Sequence, residues 1–160
     1  MTESTHTELH AGGLRLAIVT SRWHTDITSA MRDAATATFE QAGGAPADLL
    51  HVDAPGAWEL GVLCAGCLER DDIDGVLAIG CVITGETTHD KWINHGLSSA
   101  LASLAVMHAK PVALGVLTCP TKAHAQARSG GAKGNKGAEA MSALIESCAT
   151  LQTLHHGADA

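Results

Sequence analysis

The chain has 160 residues, 46% of them hydrophobic and 17% charged, which is enough for one domain with a buried core and excludes a disordered chain. The formal charge is −7, and the basic residues are scattered. A nucleic-acid partner, which needs a basic face, is therefore not expected. Three Trp, one Phe and no Tyr leave a core of Ala, Leu, Val, Ile and Gly, suited to thin layers packed closely.

Residues 1–13 are polar and read as a flexible tail, with a single domain over residues 14–156. The apolar run Leu14–Trp23 predicts a strand. Residues 26–44 predict a helix, with Thr25 or Asp26 as its cap and Gly43-Gly44 at its end. A second strand ends at the Pro55-Gly56 turn, and residues 57–70 have helical composition. The segment "DGVLAIGCVITG" is apolar on both faces, as a central parallel strand is. The next helix, over 89–108, is predicted to turn Trp92, Ile93, Leu97, Leu101, Leu104 and Met107 or His108 to one side. "KPVALGVLT" predicts a fourth buried strand, and residues 121–129 a short helix. "GGAKGNKG" predicts a flexible break. A last helix over 137–154 has Met141, Leu144, Ile145, Cys148 and Leu151 inward.

Strands alternating with helices predict an α/β fold: a three-layer α/β/α sandwich on a four-stranded, mainly parallel sheet. Ligands bind such sheets beyond the carboxyl ends of the strands. Trp23, Trp58, Glu59, Glu86 and His89 all fall there. In "GETTH" (85–89), glycine, hydroxyls and a helix start can face an anion, and the imidazole can move protons near neutral pH. The same pattern also suits a plain helix cap. Trp23 can stack on a heterocycle or simply cover the core edge. Glu59 can bind hydroxyls or complement a helix dipole. Arg128 offers a fork for phosphate, or belongs to a solvated basic face with Lys133 and Lys136.

Five cysteines without a secretory leader predict reduced thiols and a cytoplasmic protein. The lone "CAGC" (Cys64–Cys67) lacks a second pair for a zinc site, and packing is its favoured reading. No metal-binding or nucleotide-binding motif is present.

Taken together, "LRLAIVTSRWH", "APGAWEL", "DGVLAIGCVITGETTH", "KPVALGVLT" and "QARSGGAKGNKGAEA" resemble the lumazine synthase family, in order and over roughly Leu14 to Leu154. The resemblance implies a flavodoxin-like fold. It implies condensation of 5-amino-6-(D-ribitylamino)uracil with 3,4-dihydroxy-2-butanone 4-phosphate to 6,7-dimethyl-8-ribityllumazine, phosphate and water, without cofactor or metal. By position, Trp23 would stack on the pyrimidine, and Ala57, Trp58 and Glu59 would bind the ribityl chain. Cys81, Val82 and Ile83 would hold the pyrimidine through backbone groups. Glu86, Thr87 and Arg128 would meet the phosphate, with Lys136 nearby, and His89 would transfer protons. Leu114 and Arg128 would come from a neighbouring subunit of a pentamer, free or built into an icosahedral shell. Departures from the family pattern are Thr84 for Arg, Asp90 for an aromatic residue, Lys91 for an acid and Leu114 for a frequent Phe. They motivate a second expectation: a weakly catalytic or non-catalytic shell protein that binds flavins or ribityl-pyrimidines.

Overall fold

The computed structural model describes residues 8–157. In chain order the elements are β1 (Leu16–Ser21), α1 (Thr25–Gln41), β2 (Leu49–Ala54), α2 (Leu60–Leu68) and β3 (Gly75–Ile83). They continue with α3 (His89–His108), β4 (Val112–Cys119), α4 (Lys122–Ala127), β5 (Ser129–Gly131), β6 (Gly134–Asn135) and α5 (Lys136–His156). The main sheet is wholly parallel, in the order β2-β1-β3-β4. This is the predicted three-layer, flavodoxin-like α/β sandwich.

Side-chain parity divides the core. Leu16, Ile18, Leu77, Ile79, Leu117 and Cys119 point to α1 and α5 and meet Ile27, Met31, Phe39, Met141, Leu144 and Ile145. The intervening residues Ala17, Val19, Val76 and Ala78 point to α2 and α3 and meet Leu60, Cys64, Leu68, Leu97 and Leu101. A strand that alternates faces while staying apolar throughout is buried on both sides, as β1 and most of β3 are. Cys64 and Cys67 belong to this second core.

Several expectations need correction. Residues 1–7 of the expected tail lie outside the described residues. Within residues 8–13, Ala11 is fully buried, its N–H donating to the Ala42 carbonyl at 2.8 Å, and Leu9 packs partly on the core, whereas Glu8, His10, Gly12 and Gly13 are exposed. Helix α1 starts from His24, with no side-chain cap from Thr25 or Asp26. Asp26 instead pairs with Lys122 at 2.9 Å. The fourth strand is an edge strand buried on one face only, leaving Leu114 48% exposed on the other. On α3, Leu97 and Leu101 are the buried residues, whereas Trp92 and Met107 face outward. Helical spacing located the stripe but not its width: Ile93, Leu104 and His108 on the same stripe are only partly covered. Leu151 is only partly buried.

The glycine-rich break is an ordered hairpin, β5–β6. Gly130 and Gly134 supply the positive φ values (117° and 79°) that it needs. The Lys133 N–H donates to the Ala127 carbonyl and the Lys136 N–H to the Arg128 carbonyl, both at 2.8 Å. Asn135 then caps α5: its Oδ1 accepts from the N–H groups of Gly137 (2.9 Å) and Ala138 (3.3 Å). Its Nδ2 donates to the Ala30 carbonyl of α1 at 3.2 Å. Gly137 lies directly against the Met31 backbone, where a Cβ would collide.

Gly137→Ala is therefore expected to cost about 1–3 kcal/mol, read as a lower thermal midpoint. Gly66→Ala in α2, where nothing lies within 4 Å of the added methyl group, is expected to stabilise by about 0.5–1 kcal/mol. Equal midpoints for the two variants would contradict the close α1–α5 contact.

Candidate active site

The carboxyl ends of β1, β2 and β3 deliver one cavity, of about 350 Å³. From β1 come Trp23 and His24, from the turn after β2 come Gly56–Glu59, and from β3 come Cys81, Val82 and Ile83. His89 and Ile93 add the first turns of α3. Trp23, Ala57, Trp58, Glu59, Cys81, Val82, Ile83 and His89, expected from sequence, thus line one space.

Local geometry explains the convergence. His24 has φ 55° and ψ 53°, a left-handed conformation that costs a residue with a Cβ about 1–2 kcal/mol. The kink passes the chain from β1 to α1 within three residues and leaves Trp23 67% exposed at the rim. The His24 carbonyl accepts from Ile27 and Thr28 N–H groups, both at 2.9 Å, which starts α1 without a side-chain cap. Across the cavity, a Cβ on Gly56 would stand 3.0 Å from Glu59 Oε2 and 3.4 Å from the Trp23 ring. Glycine there lets the carboxylate and the indole approach one another. Trp58, 62% exposed, lays its ring edge over Gly96 of α3, where a Cβ would come within 2.9 Å.

A second cavity, of about 380 Å³, lies beyond β4. Its wall includes Thr118, Pro120, His124, Arg128, Lys133, Lys136 and Glu139. The hairpin places three cations here. Arg128 is held by its Nη1 donating to the His124 carbonyl at 3.1 Å, and Lys136 by Glu139 at 3.4 Å. The two cavities share no lining residue. The first is an aromatic slot lined by one carboxylate, Glu59, and two histidines, His24 and His89. The second suits an anion.

Not every expected residue falls in these two spaces. Glu86 and Thr87 lie in the exposed loop between β3 and α3 and line neither cavity. The Thr87 hydroxyl accepts from the His89 N–H at 3.4 Å. Leu114 lines a smaller hollow of about 260 Å³ with Lys136 and Glu139. Sequence reasoning missed His24, Ile93, His124 and Glu139 as lining residues. The left-handed turn at His24 has no sequence signature, and Ile93 read as core. Lys133 was visible only as part of a charged face.

Burial pushes the Cys81 thiol up to about 11, and the neighbouring Cys119 adds to the effect. The "CAGC" thiols behave alike: burial raises Cys64 to about 12 and also raises Cys67. All five cysteines are free and buried. Among the described residues no group of three or more His, Cys, Asp or Glu is arranged to hold a metal.

Comparison with known proteins adds an independent finding. The family described as 6,7-dimethyl-8-ribityllumazine synthase matches residues 13–152. The chain is 42% identical to a Rhodopirellula baltica protein of that name over 132 residues, 82% of this chain and 85% of the relative. A Thermus thermophilus protein of the same name is 38% identical over 146 residues, 91% of this chain and 93% of its own. An Aquifex aeolicus relative is 36% identical over 147 residues, covering 92% and 96%.

A thiol with a raised pKa stays protonated below it. At pH 8, Cys81 in the folded protein is expected to alkylate roughly a hundredfold more slowly than an unperturbed thiol, from its thiolate fraction alone. Peptide mass spectrometry after timed iodoacetamide exposure measures this. Labelling as fast as in denaturant would mean that the cavity wall opens.

Proposed function

The chain belongs to the 6,7-dimethyl-8-ribityllumazine synthase family, and we propose that it works through sites completed between neighbouring subunits. It is a transferase of riboflavin biosynthesis. It joins 5-amino-6-(D-ribitylamino)uracil to 3,4-dihydroxy-2-butanone 4-phosphate and releases phosphate and water. One observation carries the proposal of shared sites. Each chain holds an aromatic, imidazole-bearing cavity and a separate cationic one, and one reaction needs both.

In this reading the pyrimidine stacks on Trp23 and meets the backbone of Cys81, Val82 and Ile83. Its ribityl hydroxyls reach Glu59 and the Ala57–Trp58 backbone. The phosphate of the second substrate lies between the loop carrying Glu86 and Thr87 and the neighbour's Arg128, with Lys136 alongside. Leu114 of that neighbour closes the aromatic slot. The amine attacks the ketone and water leaves to give an imine. Phosphate departs, the resulting enol becomes a ketone, and the second amine attacks that ketone and closes the ring as a second water leaves. Protons move at each stage, and His89 at the rim both takes and gives them. Arg128 and Lys136 stabilise the charge gathering on the departing phosphate. Much of the rate comes from holding two reactants together, worth up to roughly 7–11 kcal/mol in favourable cases.

The uncovered surface supports assembly. Trp92 is 72% exposed, and Val106, Met107 and Leu114 are exposed on the same chain. Two complementary half-sites on one chain join head to tail, and such heterologous contacts close into rings when the rotation between neighbours returns on itself. A pentamer, alone or multiplied into an icosahedral shell, is the ring that the family resemblance brings. The free thiols favour a cytoplasmic location. Among the described residues no helix is long and apolar enough to cross a membrane.

His89→Ala and Arg128→Ala are each expected to lower lumazine formation at least roughly tenfold, followed by absorbance above the spontaneous rate. Refolded together in equal amounts, the two inactive chains should recover roughly a quarter of parental activity, because a quarter of head-to-tail contacts pair an intact His89 with an intact Arg128. No recovery on mixing would place both residues in a site made by one chain.

A further inference from the structure

Thr84 and Asp90, two of the residues at which this chain departs from the family pattern, bond to each other. The Thr84 hydroxyl donates to Asp90 Oδ2 at 3.1 Å. The Thr84 N–H donates to the Cys119 carbonyl at 3.0 Å, which carries the β3–β4 pairing one residue past the end of β3. Asp90 is in the first turn of α3, whose cap residue Thr88 makes no side-chain bond to the helix. The two ends of the loop are thus tied to β4 and to one another. The residues in between, Gly85 to His89, are exposed.

The far side of this contact carries a second observation. Asp90 Oδ1 and Asn94 Oδ1 are both buried without a hydrogen-bond partner. They stand four residues apart on α3 and so share a helix face. Two adjacent buried acceptors are unfavourable, because each loses its water without gaining a donor. A half-turn of the Asn94 amide puts Nδ2–H in place of its oxygen and turns a donor towards the face it shares with Asp90. Thr84, Asp90 and Asn94 thus follow one another from the end of β3 to the second turn of α3.

We propose that Thr84, Asp90 and Asn94 form a brace that positions His89 for proton transfer. The inference rests on the functional reading given above. His89 is flanked by the braced residue Asp90 on one side and by a run of glycine, glutamate and threonines on the other. An imidazole in an exposed loop has many placements, and one serves the reacting atoms. Misplacement by about 1 Å is enough to cost roughly a hundredfold in rate. A simple helix cap would behave differently: its loss would lower stability and leave turnover alone.

The test uses Thr84→Val, which keeps the shape and removes the donor, and Thr84→Ser, which keeps the donor. Both are made in the full chain, alone and with Asn94→Ala. Thr84→Val is expected to lower kcat about tenfold while KM for the ribitylaminouracil stays within about twofold. The thermal midpoint should stay near that of the parent, and Thr84→Ser should restore kcat. Amide hydrogen exchange at residues 85–89 should quicken in Thr84→Val and not in Thr84→Ser. Adding Asn94→Ala to Thr84→Val should cost less than Asn94→Ala costs alone, as for residues acting as one unit. Parental kcat in Thr84→Val, or Thr84→Ser as slow as Thr84→Val, would overturn the brace. So would a rate loss that merely follows a lower midpoint. An inactive parent would overturn the functional reading instead, and exchange would still judge the brace: unchanged protection at 85–89 in Thr84→Val would reject it.

Discussion

Parallel pairing of β3 between β1 and β4 is the constraint on which everything else rests. A parallel sheet needs a crossover after every strand, and each crossover must bury one face of a helix. All four strands then end along the same edge. The residues that follow those ends are free of the ladder and can be spent on chemistry. Trp23, Trp58, Glu59 and His89 are near neighbours for this reason and no other, since their positions in the chain are far apart.

The second cavity depends on a different kind of contact. Arg128 and Lys136 sit on either side of a hairpin whose position is set by α5, and α5 is seated on α1 through Asn135 and Gly137. One side chain satisfies two orphan N–H groups of α5 and binds a carbonyl of another helix. One missing side chain lets the two backbones touch. The cations of the second cavity thus inherit their placement from the contact that α5 makes with α1 on its other side. A substitution in α1 near Met31 would be felt there through geometry rather than charge.

Most of the architecture was legible because local signals agreed. Apolar runs such as "DGVLAIG" and glycine punctuation at Gly43-Gly44 and Pro55-Gly56 gave the order of elements, and the strand-end rule gathered most of the first cavity. The failures have physical causes. The "GGAKGNKG" segment looks flexible by composition, yet two of its glycines are there for positive φ, and backbone bonds to Ala127 and Arg128 hold it in place. Trp92 and Met107 follow helical spacing onto a face that none of the described residues covers. Periodicity reports which residues share a side, and it is silent on whether anything lies opposite. The left-handed step at His24 and the Thr84–Asp90 bond depend on three-dimensional closure, which no window of sequence contains. The separation of the two cavities was not legible at all. Nothing in the spacing of Arg128 and His89 says that they occupy separate cavities.

The three tryptophans have one more consequence. With no tyrosine in the chain, ultraviolet emission comes almost wholly from Trp23, Trp58 and Trp92, all largely exposed in the lone subunit. Two stand at the mouth of the aromatic slot and the third on the bare side of α3. The protein therefore carries its own optical labels. Occupation of the slot would alter the colour and brightness of one pair of rings, and association of subunits that of the other, so that filling and assembly could be followed in one cuvette without a dye.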